Sequence, residues 1–172
     1  MLSKTVFALV LCCLFLVACG GETQEDPTKS TDKSPAAEAK LMLDAAPANP
    51  VAVKDMKDDL AAEGDVVVFG RIREFYDGFS GFTLVDQKMR HCAERPGDMC
   101  KTPWDYCCED AGDMVKHSVT VEVHKDGRII KSTLDGLGGM DKLKDVVVRG
   151  KASKDKQGNV VIIADGIFVR NQ

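Results

Sequence analysis

Short runs of valine, isoleucine and phenylalanine, separated by glycine-containing turns, constrain the fold of this chain more than any other feature. Residues 118–124 alternate between valine and polar residues, which is typical of a β-strand with one buried face. Similar apolar runs lie on both sides of this segment. We predict strands over residues 65–74, 82–86, 118–124, 128–133, 145–152 and 160–169. From residue 64 onward the chain is therefore predicted to be all-β.

The segments between the runs predict how the strands connect. Lys125-Asp126-Gly127 is typical of a hairpin turn, and residues 155–159 predict another turn. Gly70, in the middle of the first run, predicts a bend or bulge in that strand. Residues 134–143 contain three glycines and predict a loop with one helical turn. Since exposed strand edges promote aggregation, we expect the sheet to close into a small barrel.

This order of strands, with a helical turn before the fourth, resembles the OB-fold, a five-stranded Greek-key barrel. Four strings carry the resemblance: Gly64-Asp-Val-Val-Val-Phe-Gly-Arg-Ile72, Gly81-Phe-Thr-Leu-Val-Asp86, Leu143-Lys-Asp-Val-Val-Val-Arg-Gly150 and Val161-Ile-Ile-Ala-Asp-Gly-Ile167. The predicted OB-like domain spans residues 64–172, with a long insertion, residues 87–114, between its second and third strands. The resemblance implies a barrel interior filled by aliphatic side chains: Val66, Val68, Leu84, Val119, Val121, Val123, Val146, Val148, Ile162 and Ala164.

OB domains commonly bind oligonucleotides or oligosaccharides on the face of their second and third strands. Here that face would present Thr83, Val85, Thr120, Glu122 and His124, which offer little aromatic surface for stacking. The chain is also acidic, with a net charge of −4 and a pI of about 5.4. Phosphate recognition usually needs a basic face, so a nucleic-acid-binding OB domain is kept only as an alternative and nucleic acid is not the expected partner.

Residues 1–18 have the form of a lipoprotein signal peptide. Lys4 supplies a positive charge, and the apolar run that follows is too short to span a bilayer comfortably. Leu16-Val17-Ala18-Cys19 resembles the lipobox of bacterial lipoproteins. The resemblance implies cleavage before Cys19, acylation of that cysteine by palmitate-type chains, and anchoring to a membrane of the cell envelope, facing the periplasm or in the outer membrane.

Two segments are predicted between this anchor and the barrel. Residues 19–50 are rich in charged residues, threonine, serine, proline and alanine, and predict a disordered tether that holds the domain off the bilayer. Residues 51–63 predict a short helix that ends before Gly64. Val53, Met56 and Leu60 would share one face of this helix, which we expect to pack on the barrel.

The insertion holds Cys92, Cys100, Cys107 and Cys108, the only cysteines beyond Cys19. An exported protein meets an oxidising compartment, which favours two disulfides that staple the loop. The alternative is a metal site, because clustered thiolates suit zinc or copper(I), and His91 is a further candidate ligand. A thiol-redox role is a third interpretation, although the C-x-x-C spacing is absent. The spacing leaves these interpretations open, and no other cofactor is predicted.

Aromatic and basic side chains in and near the insertion form a candidate binding surface: Trp104, Tyr106, Arg71, Arg73 and Tyr76. None of the motifs G-x-S-x-G, H-E-x-x-H or the EF-hand loop occurs, so we do not expect an enzyme. The sequence predicts a lipid-anchored envelope protein with a non-catalytic OB-like binding domain, whose partner is an envelope protein or a glycan. Metal binding or thiol redox chemistry at the cysteines is the alternative function.

Overall fold

Five strands close into a barrel in the computed structural model, which describes residues 40–170. The regular elements are β1 (Val51–Ala52), α1 (Val53–Asp59), β2 (Glu63–Phe75), β3 (Gly81–Val85), α2 (Ala111–His117), β4 (Ser118–Glu122), β5 (His124–Lys125), β6 (Arg128–Ile129), β7 (Asp145–Lys154) and β8 (Val160–Val169). Two 3₁₀ turns lie at Cys92–Glu94 and Leu137–Gly139. The predicted signal peptide, Cys19 and residues 20–39 of the predicted tether lie outside the described residues.

The strand order confirms the predicted fold class. Strands β2, β3, β4, β8 and β7 lie side by side in that order, and β7 pairs with β2 to close the barrel. All these pairings are antiparallel except that of β4 with β8. The protein is therefore a small all-β, OB-like barrel, with β1 added parallel to the outside of β2.

The long strand β2 makes closure possible because it pairs with two neighbours. Its first part, up to Arg71, pairs with β7, and its last part pairs with β3. The pairing with β3 shifts register between Ile72 and Glu74. Just before this irregularity, a Cβ atom on Gly70 would lie only 2.7 Å from the carbonyl oxygen of Val85. The irregularity therefore lies between Ile72 and Glu74 rather than at Gly70, where it was predicted, and Gly70 is a position where β3 approaches the β2 backbone too closely for a side chain.

Alternate residues of the strands fill the barrel, as the strand period requires. Of the interior residues predicted from the sequence, all are buried except Val66, which is partly buried against the same core. Ile72, Phe82 and Ile167 are completely buried with them. Each such aliphatic side chain stabilises the fold by roughly 1.5–3 kcal/mol, so the barrel core does not depend on the cysteines.

The N-terminal helix is shorter than the predicted span of residues 51–63. Val51 and Ala52 pair with β2 instead, and α1 covers only Val53–Asp59. Val53 and Met56 are buried against the barrel, as expected. The backbone N–H of Leu60 still donates a hydrogen bond to the carbonyl oxygen of Met56, but Leu60 has a ψ of 110°, outside the helical region. The helix ends here because Glu63 already pairs with Ser153 as the first residue of β2.

The predicted tether is wrong over residues 41–43. Leu41 is 5% exposed and belongs to the barrel core. Leu43 donates a backbone hydrogen bond of 2.8 Å to the carbonyl oxygen of Ile167 in β8, beside a bridge from Met42 to the same residue. These apolar side chains bury surface on the barrel, so the chain is already part of the domain before Pro50.

The connection from β4 to β7 also differs in detail from the prediction. The strand expected over residues 128–133 is only Arg128–Ile129, paired with β5 in a separate hairpin. The helical turn expected before the fourth barrel strand is present as the 3₁₀ turn Leu137–Gly139. Within residues 40–170, no helix has the length and apolar character needed to cross a bilayer.

Candidate functional site

The segment between β3 and α2, residues 86–110, is hereafter the cysteine loop. It packs on the barrel through a second apolar cluster, separate from the barrel core. Val85 at the end of β3, Met89 and Tyr106 of the loop, and Met114 of α2 form this cluster. Because each of these side chains is at most 9% exposed, the loop is docked on the barrel rather than projecting into solvent.

Helix α2 fixes the C-terminal end of the cysteine loop, and the sequence analysis did not predict it. Asp110 caps the helix, and its Oδ1 accepts hydrogen bonds from the backbone N–H groups of Gly112 (2.8 Å) and Asp113 (3.1 Å). An Asp at the N-cap with a second acidic residue in the first helical turn is typical of a helix start, and this local signal could have predicted the helix. The cap directs Met114 into the apolar cluster below the loop.

Ion pairs tie the cysteine loop to β2 and to the start of β7. The Arg71 guanidinium, only 14% exposed, donates to Glu94 (2.9 Å) and to Asp145 (3.2 Å). Arg73 pairs with Asp105 at 3.3 Å. Arg71 and Arg73 were predicted to belong to a binding surface. The structure places Arg71 in contacts between the barrel and the loop, whereas Arg73 pairs with the loop and also lines a cleft beside Trp104.

The cysteine loop brings its four sulfur atoms together around Cys107. Cys107 Sγ lies 3.2 Å from Cys92 Sγ, 3.7 Å from Cys100 Sγ and 4.0 Å from Cys108 Sγ. All four cysteines are free thiols in this structure. Cys92 is buried, whereas Cys107 and Cys108 are exposed. The residues predicted as one disulfide or metal cluster therefore form a single group open to solvent on one side.

Backbone hydrogen bonds within the loop explain this convergence. Cys92 donates to the carbonyl oxygen of Asp105 (2.8 Å), and Ala93 donates to that of Pro103 (2.9 Å). These two bonds join the two halves of the loop side by side. Cys92, on its 3₁₀ turn, is thereby held beside Cys107, fifteen positions further along the chain.

His91 does not join the sulfur cluster. Its Nδ1 lies 3.2 Å from the carbonyl oxygen of Pro103, and its Nε2 lies 3.3 Å from the Glu94 carboxylate. Its ring packs edge-on against Tyr106. Among residues 40–170, neither of the two groups of potential metal ligands that lie close together includes His91. His91 therefore contacts both halves of the loop and lies outside the groups of close ligands, and its role as a ligand stays a prediction.

The thiols of the cluster differ in their electrostatic environment. Hydrogen bonds from the Thr102 side chain and backbone lower the pKa of Cys100, whose sulfur lies 3.3 Å from Thr102 Oγ1. Hydrogen bonding to Cys92 and Cys100 raises the pKa of Cys107. Thiolate is the nucleophilic and metal-binding form of cysteine, and the hydrogen bonds from Thr102 favour that form at Cys100.

Trp104 and Tyr106 have opposite environments. Tyr106 is 3% exposed and anchors the loop, so its predicted place in an exposed binding surface is wrong. Trp104 is 38% exposed, and Lys142 Nζ lies 5.3 Å from the centre of its ring. Trp104 contributes to a cleft of about 150 Å³ between the loop and the barrel, lined by Arg73, Glu74, Thr102, Trp104, Asp105 and Lys142.

Tyr76 lies away from this cleft, on the outer face of β3 and β4. Its hydroxyl is 3.2 Å from the hydroxyl oxygens of both Thr83 and Thr120.

No protein-family model matches this chain, and no curated protein matches it. The sulfur cluster and the Trp104 cleft are therefore the features from which a function is inferred.

Proposed function

We propose that this protein is a lipid-anchored cell-envelope protein whose OB-like barrel binds a glycan, without catalysis, in the cleft at Trp104. The lipobox-like string that ends at Cys19 supports the lipid anchor. The observation that carries the binding function is a half-exposed tryptophan beside charged and hydroxyl side chains in a preformed cleft.

The chemistry of the cleft suits a sugar ring. The face of an indole ring packs well against the C–H groups of a sugar, and the indole sits at the edge of the cleft with 38% of its surface accessible. Arg73, Asp105 and Thr102 provide donors and acceptors around it for hydroxyl groups. A volume of about 150 Å³ is below that of a drug-sized pocket, so the cleft fits one ring of a longer glycan.

The charges of the cleft favour a glycan over a nucleic acid. Arg73 and Lys142 are balanced by Glu74 and Asp105, and Arg73 is already paired with Asp105. A groove for a phosphate backbone needs an excess of positive charge, which the cleft does not provide. A sugar with few or no charges is compatible with this balance.

The packing of the cysteine loop on the barrel supports binding by a preformed site. Tyr106 and Met89 are buried below it, and Arg71 ties it to both β2 and β7. A site that is already ordered loses little conformational entropy when its ligand binds. Trp104 is therefore held at the cleft before a ligand binds.

Intrinsic fluorescence tests this function, because Trp104 is the single tryptophan of the chain. The chain from Gly20 onward, secreted without lipid, is titrated with soluble disaccharide-peptide fragments of peptidoglycan. We expect a saturable change in emission and unaltered fragments by mass spectrometry. No change, or an equal change with single-stranded DNA at low salt, would contradict glycan binding, and cleaved fragments would contradict a non-catalytic role.

Matched variants locate the binding site. Asp105→Asn keeps the shape of the cleft but removes a charge and an acceptor, and should weaken binding about tenfold, equivalent to about 1.4 kcal/mol. Phe79→Ala removes another exposed aromatic ring, 41% exposed, from the turn before β3 and should leave binding unchanged. If both variants bind as the natural chain does, the site lies elsewhere.

The lipid anchor is tested separately in cells. Cys19→Ala should abolish acylation, so that the unprocessed chain keeps its leader. Globomycin, which blocks lipoprotein signal peptidase, should likewise leave the leader attached to the natural chain. Unchanged processing and membrane association of the Cys19→Ala variant would contradict the anchor, whatever the outcome of the glycan titration.

A further inference from the structure

We propose that the cysteine loop binds one thiophilic d¹⁰ metal ion, Zn²⁺ or Cu⁺, through its four cysteine sulfurs. This site goes beyond the glycan-binding function and does not depend on it. Three features support it: the arrangement of sulfur atoms around Cys107, the hydrogen bonds within the cysteine loop, and the exposure of two of the sulfurs to solvent.

Three of the six sulfur–sulfur distances are close to those of a tetrahedral thiolate site. Zinc–sulfur bonds of about 2.3 Å place the sulfurs of a tetrahedron about 3.8 Å apart. The three sulfur–sulfur distances from Cys107 are 3.2, 3.7 and 4.0 Å, on both sides of that value. Cys92 Sγ also lies within 4.8 Å of both Cys100 Sγ and Cys108 Sγ. Cys100 and Cys108 do not belong to the same group of close ligands, so binding of one ion requires these two side chains to move toward each other.

Two disulfides explain this arrangement less well. A disulfide joins one sulfur to one partner, so two staples would separate the four sulfurs into two pairs. Here Cys107 faces all three other sulfurs at comparable distances. An oxidising compartment favours disulfides, but a bound ion keeps thiolates coordinated and so competes with their oxidation. The oxidation state of the four sulfurs therefore distinguishes the two arrangements experimentally.

Hydrogen bonds within the cysteine loop position the backbone of the cysteine ligands. The Cys92 backbone N–H is bonded to Asp105, and Arg95 Nη2 lies 2.6 Å from Glu109 and 3.5 Å from the carbonyl oxygen of Cys108. Such contacts to ligand-bearing backbone orient the donor atoms before the ion arrives. The exposed sulfurs of Cys107 and Cys108 give an ion direct access from solvent.

Asp98 is a positioning residue beside the sulfurs rather than a fifth ligand. A carboxylate oxygen of Asp98 lies within 4.8 Å of the sulfurs of Cys92 and Cys100, and Asp98 also accepts a hydrogen bond of 3.3 Å from the Cys100 backbone N–H. Because the four sulfurs already complete a tetrahedral site, Asp98 acts through this hydrogen bond. Asp98→Asn should therefore weaken metal binding less than Cys107→Ser does.

Anaerobic metal titration of the reduced mature chain tests the site. Co²⁺ replaces Zn²⁺ in tetrahedral thiolate sites and gives them strong absorption, so we expect a spectrum that saturates at one ion per chain and disappears when Zn²⁺ is added. Cys107→Ser removes the central sulfur and should lower affinity at least about 100-fold, the upper end of the loss seen when only a supporting partner of a ligand is removed.

Two further variants separate loss of a ligand from loss of fold. Cys108→Ser changes an exposed sulfur and should lower affinity while circular dichroism of the barrel stays the same. Met99→Leu removes a nearby sulfur whose side chain is 93% exposed and outside the cluster, and should leave affinity unchanged. Equal binding by the natural chain and Cys107→Ser would overturn the proposal.

The natural state of the cysteines gives an independent check. Chain isolated from the cell envelope should carry one equivalent of zinc or copper, and its four thiols should react with an alkylating reagent only after chelation. Metal-free chain whose thiols become reactive only after reduction would show two disulfides and overturn the proposal. Neither result alters the glycan titration, which reports on Trp104.

Discussion

At the scale of single residues, Arg71 links the barrel to the cysteine loop. Its side chain is 14% exposed and lies between Glu94 of the loop and Asp145 of β7. Removing one partner from a largely buried ion pair leaves the remaining charges without compensation. Arg71 therefore contributes more to stability than a surface arginine does.

We expect Arg71→Met to lower the free energy of unfolding by about 2–3 kcal/mol, less than for a fully buried pair because Glu94 is 36% exposed. Arg149→Met is the matched control, since Arg149 and Asp165 are 48% and 66% exposed, and its effect should stay below about 1 kcal/mol. Urea unfolding measures both. Equal losses would show that Arg71 acts as an ordinary surface charge.

The sequence predicted which residues take part in the candidate site better than it predicted what each residue does there. The four cysteines were expected to act together, and they do meet, but the central position of Cys107 depends on backbone bonds between distant parts of the loop. Arg71 and Tyr106 were assigned to a surface because nothing in their neighbourhood along the chain reveals the partners that bury them. Asp145, the partner of Arg71 on β7, is distant in sequence.

At the scale of secondary-structure elements, the cap of α2 controls how the cysteine loop returns to the barrel. Asp110→Ala removes the acceptor for two N–H groups and should lower stability by about 1 kcal/mol. Asp113→Ala removes only an exposed pair with Lys116 and should have a smaller effect. Hydrogen exchange should become faster in residues 111–117 of Asp110→Ala; unchanged exchange would contradict the role of the cap.

The close approach of β3 to Gly70 gives a prediction about the barrel itself. In Gly70→Ala the added methyl group would meet the Val85 carbonyl oxygen at 2.7 Å and Leu84 Cγ at 2.9 Å, and should cost about 1–3 kcal/mol. Gly64→Ala, on the same strand, meets only a methyl carbon of Leu60 at 3.8 Å and serves as the control. Thermal unfolding measures both, and equal midpoints would show that β3 can move away from residue 70 of β2.

The strands were predictable because valine alternation and glycine turns are local signals. The 160–169 strand was predicted with the observed bounds, Val160–Val169. The helix Ala111–His117 escaped prediction because seven residues carry too little hydrophobic periodicity, and only its cap marks it. The packing of Leu41 in the barrel core was not predicted, because a short apolar run within a polar segment does not show which part of the fold it will contact.

At the scale of the whole molecule, the closed barrel and the docked loop have separate apolar clusters of different origin. The barrel core follows from the repeated strand pattern, and its closure follows from the need to satisfy strand edges. The cluster beneath the loop joins Val85, Tyr106 and Met114, which come from a strand, an irregular segment and a helix. No periodic signal links such residues, so the loop position could not be predicted.

The proposed metal ion connects the loop to global stability. An ion that binds only the folded chain stabilises it by about 2.7 kcal/mol at a free concentration one hundred times its Kd. We therefore expect Zn²⁺ to raise the Tm of the reduced chain and to leave that of Cys107→Ser unchanged. The same shift in both would place the ion outside the sulfur cluster.

The central claim, that the cleft at Trp104 holds a glycan ring, is tested most directly by nuclear Overhauser effects between a bound peptidoglycan disaccharide and the protein. We expect transfer from sugar-ring protons to the indole protons of Trp104, with further contacts to Thr102 and Lys142. Transfer instead to Tyr76, Thr83 and Thr120 would place the ligand on the outer face of β3 and β4, and would contradict the claim.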